Sequence, residues 1–139
     1  ADNQLQSRLS PQLSKRAGDY FSRLTDGQYT QVSLTRDLEV AVRGGSSLAE
    51  RPLSYLSQGT ADQLYLATRL AICEMVLPAE KSVPLILDDA LANFDDKRMG
   101  AALDWLVQAA QKRQILLFTC HTRESRYLAG RDNVTHIAL

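Results

Sequence analysis

The chain predicts an α/β fold, a parallel sheet flanked by helices. Two short apolar runs, VPLILDD (83–89) and QILLFTC (114–120), have the nearly continuous hydrophobicity of strands buried on both faces of a parallel sheet. Around them stand segments with apolar residues three and four apart, the mark of amphipathic helices. The resulting order of strand, helix, strand, helix, strand requires crossover connections and hence parallel pairing.

From Gln4 to about Thr25, Leu5, Leu9, Leu13, Ala17, Tyr20, Phe21 and Leu24 form one apolar stripe. Ser10-Pro11 reads as an N-cap and first helical residue, giving two helices or one kinked helix, and Asp26-Gly27 ends the segment. YTQVSL and LEVAVR then alternate with period two and read as two strands joined by a turn near 35–37. Gly44-Gly45-Ser46-Ser47 reads as a flexible loop. A polar turn, LSQGTADQ, leads into an apolar run from Leu64 to Leu77. That run is too long for a strand; it predicts a largely buried helix stopped by Pro78. After the strand at 83–89, Asp95 is the expected cap of a helix whose Met99, Ala102, Leu103, Leu106, Val107 and Ala110 share a face. The strand at 114–120, a short helix near Arg123 to Ala129 and a last strand, Val134 to Ala138, complete the order.

The 139 residues suffice for one domain with a real core, and 45% are hydrophobic. Sixteen basic and sixteen acidic residues cancel, so no overall basic field points to nucleic acid or a membrane surface. Arg69, Arg98, Lys112 and Arg113 are local candidates for contact with an anionic partner such as DNA, although solvated helix faces explain them at least as well. Cys73 and Cys120 stand alone in apolar segments and read as buried, reduced thiols of a cytoplasmic protein. No stretch has the length and apolarity of a membrane-spanning helix. A start at Ala1 with no leader pattern is expected of an excised or processed fragment.

Open parallel sheets bind ligands beyond the carboxyl ends of their strands. Asp88 and Asp89 finish one strand there and His121 follows the next. A carboxylate on such a pinned strand end suits Mg²⁺, which takes one or two protein oxygens, and a second carboxylate beside it can polarise water. Ser57-Gln58-Gly59-Thr60 opens the long helix. A small hydroxyl residue and a glycine let backbone N–H groups and the helix dipole approach an anion; equally, Ser57 or Thr60 is an ordinary cap. A Cys120-His121 thiol dyad is disfavoured, since neighbours on a strand point apart.

In combination, YLSQGTADQLYLATRLA, PLILDDALANFDD and LLFTCH closely resemble, in that order, the C-terminal half of an ABC-type ATPase head, a P-loop NTPase fold. The resemblance is to the structural-maintenance-of-chromosomes and DNA double-strand-break-repair ATPases and covers most of the chain. It implies that residues 1–27 are the root of a coiled-coil arm and 28–139 the C-terminal lobe of the head. It places Leu56 to Thr60 on the ABC signature, with Ser57, Gln58, Gly59 and Thr60 meeting ATP held by the opposite head. Leu85 to Asp88 match Walker B, making Asp88 the Mg²⁺ residue, usually through water. Asp89 stands at the catalytic carboxylate, Asn93 to Asp95 match the D-loop, and His121 matches the switch histidine. The family more often has glutamate where this chain has Asp89, which bears on the rate of hydrolysis.

The Walker A loop is missing: Gly44-Gly45-Ser46-Ser47 has neither its spacing nor its lysine. The resemblance therefore implies half a site, with ATP and Mg²⁺ as cofactors. Its partners would be an N-terminal Walker A lobe of the same protein, a second head paired on ATP, and DNA with a nuclease or accessory subunit. Two alternatives stand beside it. One is a nucleotide-gated dimerisation scaffold without catalysis. The other is a receiver-type phosphoacceptor domain, which would need a third strand-end aspartate and a lysine where Cys120-His121 occur.

Overall fold

The computed structural model describes residues 2–34, 40–44, 51–52, 56–77 and 83–139, with only the backbone described at 2–10, 34, 40 and 51–52. α1 (Asp2–Leu24) is one continuous helix with Pro11 inside it, resolving the choice left open at Ser10-Pro11. Its inner face buries Ala17, Phe21 and Leu24, with Leu13 and Tyr20 packed alongside; the Leu5 and Leu9 side chains of the expected stripe lie outside the described residues. The helix ends as expected. Asp26 and Gly27 adopt φ of 54° and 78°, and Gly27 N–H donates back to the Ser22 carbonyl at 2.8 Å, closing the last turn with left-handed residues.

β1 (Tyr29–Leu34) and β2 (Val40–Gly44) form the expected antiparallel pair, and β3 (Arg51–Pro52) adds a short third strand. Val32 and Val42 pair across the ladder and are buried, while Phe21 stacks on Tyr29 with ring centroids 5.1 Å apart. The turn expected at 35–37 and the loop residues 45–47 lie outside the described residues. Gly44, read as loop, instead ends β2 opposite Tyr29. A Cβ there would come within 2.3 Å of the Gln28 carbonyl oxygen, so the close strand approach itself requires glycine.

α2 (Gln58–Val76) begins at the polar turn. It is less buried than its apolar run implied: Leu64, Leu66, Ala67, Leu70 and Ala71 are buried, but Tyr65, Ile72 and Val76 are exposed. One stripe suffices to pack on α1, while the other face touches a described element through Arg69, which reaches the Ile86 carbonyl of the strand at 85–88. Pro78, the expected stop, lies outside the described residues. Polar contacts tie the helices together. Gln63 Nε2 donates to the Leu24 carbonyl at 2.8 Å from a buried position, and Glu74 of α2 accepts from Arg16 Nη1 at 2.8 Å and from the Tyr20 hydroxyl.

β4 (Leu85–Asp88) and β5 (Ile115–Phe118) pair in parallel, Leu85 with Ile115 through Asp88 with Phe118, and α3 (Asp96–Ala109) connects them. α3 buries Met99, Ala102, Leu103 and Leu106 as expected. It also buries Trp105, which meets Tyr20 of α1 at 4.8 Å between rings. The expectation of strands buried on both faces is corrected. Leu85 and Leu87 face the core, whereas Ile86, Leu116 and Phe118 are 50%, 37% and 45% exposed, with no described element over them. α4 (Arg123–Tyr127) follows. The strand expected at Val134 to Ala138 is absent: Val134 N–H bonds only to the nearby Arg131 carbonyl, at 3.3 Å, and Ile137 is exposed. An apolar alternation becomes a strand only when it joins a ladder, and this segment makes no ladder with β5, whose outer edge is unpaired among the described residues. No described helix is long and apolar enough to cross a membrane.

Candidate functional site

Two polar groupings stand out. At the carboxyl end of the parallel pair, Asp88 is the last residue of β4, opposite Phe118. The chain then turns sharply: Asp89 takes φ 54°, unusual for a residue with a side chain. Its N–H donates to the Phe118 carbonyl at 2.7 Å. The buried Leu91 and Phe94 anchor the following turn, in which Ala92 N–H donates to the Asp89 carbonyl at 3.3 Å. Both carboxylates are exposed. β5 stops at Phe118, and His121 N–H donates to Thr119 Oγ1 at 3.0 Å. As a result an Asp89 carboxylate oxygen, Cys120 Sγ and a His121 ring nitrogen all lie within 4.8 Å of one another. This corrects the expectation that Cys120 and His121 point apart, because the strand geometry behind it ends two residues earlier.

The second grouping surrounds the start of α2. Ser57 is its N-cap in extended conformation. Its Oγ accepts from Thr60 N–H at 3.2 Å and shares a 2.8 Å hydrogen bond with Thr60 Oγ1. Ser57 and Gln58 are exposed, Gly59 is half-buried and Thr60 is buried beneath them. Arg98, on α3, donates from Nη2 to Thr60 Oγ1 at 3.1 Å and from Nε to Gln63 Oε1 at 3.3 Å. It also pairs through Nη1 with Asp95. Asp95 caps α3 by accepting from Arg98 N–H at 2.8 Å. That backbone bond, aided by the Arg98 charge, holds the Asp95 carboxyl below its ordinary range. Asn93 Nδ2 donates to Asp62 Oδ2 at 2.9 Å, and Gln58 Nε2 donates to Asp62 Oδ1 at 3.0 Å. The segment from Asn93 to Asp95 and the turn from Ser57 to Thr60 thus form one network. No hydrogen bond or ion pair joins that turn to Asp88, Asp89 or His121 among the described residues.

Several surface readings change. Arg98 is committed to this network, and Arg113 is buried, donating from Nη2 to the Leu77 carbonyl at 2.9 Å at the end of α2. Arg69 Nη2 donates to the Ile86 carbonyl at 2.9 Å, and Lys112 is exposed. Both cysteines are free, but Cys73 is half-buried and Cys120 exposed rather than buried. Sequence reasoning missed Arg98, Asp62 and Cys120 as members of these groupings. The signal for Cys120 was its place directly before His121, past the end of the apolar run.

The architecture has known counterparts. Over 115 residues, 80% of this chain, it is 39% identical to YhaN of Bacillus subtilis (strain 168), itself described as uncharacterized; the chain spans only 12% of that protein's length. No protein-family model matches. Among solved structures, an SMC ATPase described for its ATP-driven dimerisation and DNA-stimulated activation superimposes with a TM-score of 0.72 at 17% identity. The match covers 91% of this chain and 82% of that one. The Smc head domain of Pyrococcus furiosus, with an extended coiled coil and bound to the C-terminal domain of ScpA, gives 0.67 at 16% identity, over 87% of this chain and 31% of that one. The Pyrococcus yayanosii Smc head with a coiled coil and joint also gives 0.67 at 16% identity, over 87% and 24%. At such identities the likeness establishes fold, and the fold of this chain is that of an SMC ATPase head, a P-loop NTPase architecture.

Proposed function

We propose that the chain is the C-terminal lobe of an ATP-binding and ATP-hydrolysing head that needs a Walker A lobe to complete its site and a second head to complete its chemistry. The observation that carries this is the separation of two half-sites on one SMC-like lobe. Asp88, Asp89 and His121 gather at the ends of β4 and β5, while Ser57 and Gly59 open a helix N-terminus that shares no bond with them. A turn with no bond, among the described residues, to its own strand ends is placed to meet a nucleotide held by a partner.

In this reading Asp88, an exposed hard oxygen donor on a paired strand end, fits Mg²⁺ held through water. Mg²⁺ arriving with ATP would supply charge neutralisation on the phosphates. Asp89 accepts the proton of the attacking water, and His121 senses the terminal phosphate. Across the interface, the Ser57 hydroxyl and the N–H groups of Gln58 and Gly59 at the positive end of α2 face the partner's ATP. Thr60 and Arg98, lying beneath, position Ser57. Asn93 and Asp95 form the D-loop beside that turn, and α1 is the root of an arm, with the lobe from residue 28 onward.

Further partners in this reading are DNA and an accessory or nuclease subunit; solved SMC heads with ATP-driven dimerisation or bound ScpA support that class of partner. The free thiols accord with a cytoplasmic setting. A second reading, a nucleotide-gated scaffold, is favoured by the one-methylene shortfall of Asp89 against the family's usual glutamate. The receiver-type alternative lacks its lysine, and the fold likeness speaks for the ATPase head. The test is pairing of the completed head, followed by sedimentation with and without ATP. Ser57→Arg should abolish pairing while nucleotide still binds, and both it and Asp88→Ala should keep native circular dichroism. Unfolding in both variants would make these residues structural and defeat the proposal.

A further inference from the structure

The ATPase reading leaves Cys120 without a task, yet its exposed thiol sits against two residues that reading needs. Asp89, Cys120 and His121 each present a ligand atom, all mutually within 4.8 Å. They come from two loops whose backbones are pinned: Asp89 N–H by the Phe118 carbonyl and His121 N–H by Thr119 Oγ1. Zinc sits about 2.3 Å from thiolate sulfur and about 2.0–2.2 Å from imidazole nitrogen or carboxylate oxygen. Tetrahedral ligand pairs therefore lie roughly 3.3–3.7 Å apart. The remaining gap of about 1 Å is within the reach of side-chain rotation, and all three residues are exposed.

We propose that Asp89, Cys120 and His121 form a Zn²⁺ site with one open coordination position. Thiolate and imidazole donors favour zinc over the hard Mg²⁺, which prefers oxygen alone, so this site is chemically distinct from Asp88. The thiol proton leaves to solvent as the sulfur–zinc bond forms. The regulatory consequence rests on the function proposed above: zinc occupies Asp89 and His121, so it reversibly blocks hydrolysis. A free or weakly buffered zinc ion thereby becomes an off-switch for the head.

The site itself is tested without ATP. Titrating the chain with Co²⁺ as a zinc probe should give a thiolate-to-metal charge-transfer band. That band should vanish in Cys120→Ser and persist in Cys73→Ser, with circular dichroism confirming that each variant folds. On the unmutated chain, Zn²⁺ should protect Cys120 from alkylation, mapped by mass spectrometry, and leave Cys73 reactive. Absence of the band, its survival in Cys120→Ser, or equal protection of both cysteines overturns the site. In the completed head, Zn²⁺ should lower turnover, a chelator should restore it, and the ratio of activity with and without zinc should return to one in Cys120→Ser. A Cys120-dependent band with zinc-insensitive turnover overturns the regulatory claim. A head with no turnover under any condition defeats the ATPase reading, and the Co²⁺ band still decides the site.

Discussion

A methyl group built on Gly59 would rest 3.4 Å from Arg98 Cδ and from the Asn93 carbonyl oxygen, ordinary van der Waals distances. The fold of the lobe therefore tolerates alanine there, and helix propensity favours it by up to about 1 kcal/mol. Gly59→Ala should leave thermal stability unchanged or slightly raised while weakening ATP-dependent pairing, since in the proposed function the requirement for glycine comes from the approach of a phosphate. Gly44 is the opposite case. Its missing Cβ would overlap the Gln28 carbonyl, so Gly44→Ala should cost at least about 1–3 kcal/mol in denaturant unfolding without any role in nucleotide chemistry. Ser57→Ala removes the N-cap of α2 and should cost about 1 kcal/mol. Tyr20 gives a pH signature. Burial, then its hydrogen bond to Glu74, pushes the phenol from its ordinary value of 10.0 up to about 12. Folding thus favours the neutral form. The resulting stability is complete below pH 10 and is lost as pH rises from 10 toward 12. Unfolding midpoints of Tyr20→Phe should fall less over that window than those of the unmutated chain.

At the scale of elements, the helices are held by packing. Leu103 is 1% exposed in the middle of α3, so Leu103→Asp buries an unpaired charge and should abolish cooperative thermal unfolding. Leu70→Ala in α2 should cost about 2–5 kcal/mol. The cores of α1 and α3, the cap at Asp95 and the β1–β2 pair were legible because each rests on local periodicity or capping chemistry. What escaped was set by neighbours. Val134 to Ala138 alternates like a strand but does not pair with the open edge of β5. Trp105 turns inward because Tyr20 lies above it. Cys120 meets His121 because β5 ends at Phe118 rather than at the end of the apolar run. Asp88, Asp89 and His121 could be named from sequence as strand-end residues, whereas the Arg98 network beneath the α2 turn depends on how α3 crosses α2.

At the scale of the whole molecule, the described residues cover only one face of the β4–β5 pair. Ile86, Leu116 and Phe118 line an exposed face of β4 and β5, the kind of surface that promotes association unless another element packs on it. Phe118→Lys should reduce self-association of the chain alone, seen in sedimentation, and impair its assembly with a Walker A lobe. In the proposed function the two half-sites make the same point chemically, each needing a partner to finish a reaction. The most direct measurement is therefore steady-state ATP turnover by the chain joined to its N-terminal lobe, with and without Mg²⁺, beside the Asp89→Asn variant. The account predicts that the chain alone is silent, that the joined head turns over ATP only with Mg²⁺, and that Asp89→Asn lowers kcat by about 10²-fold or more while ATP still binds. Turnover undiminished in Asp89→Asn, or a joined head that binds ATP and never hydrolyses it, would contradict it.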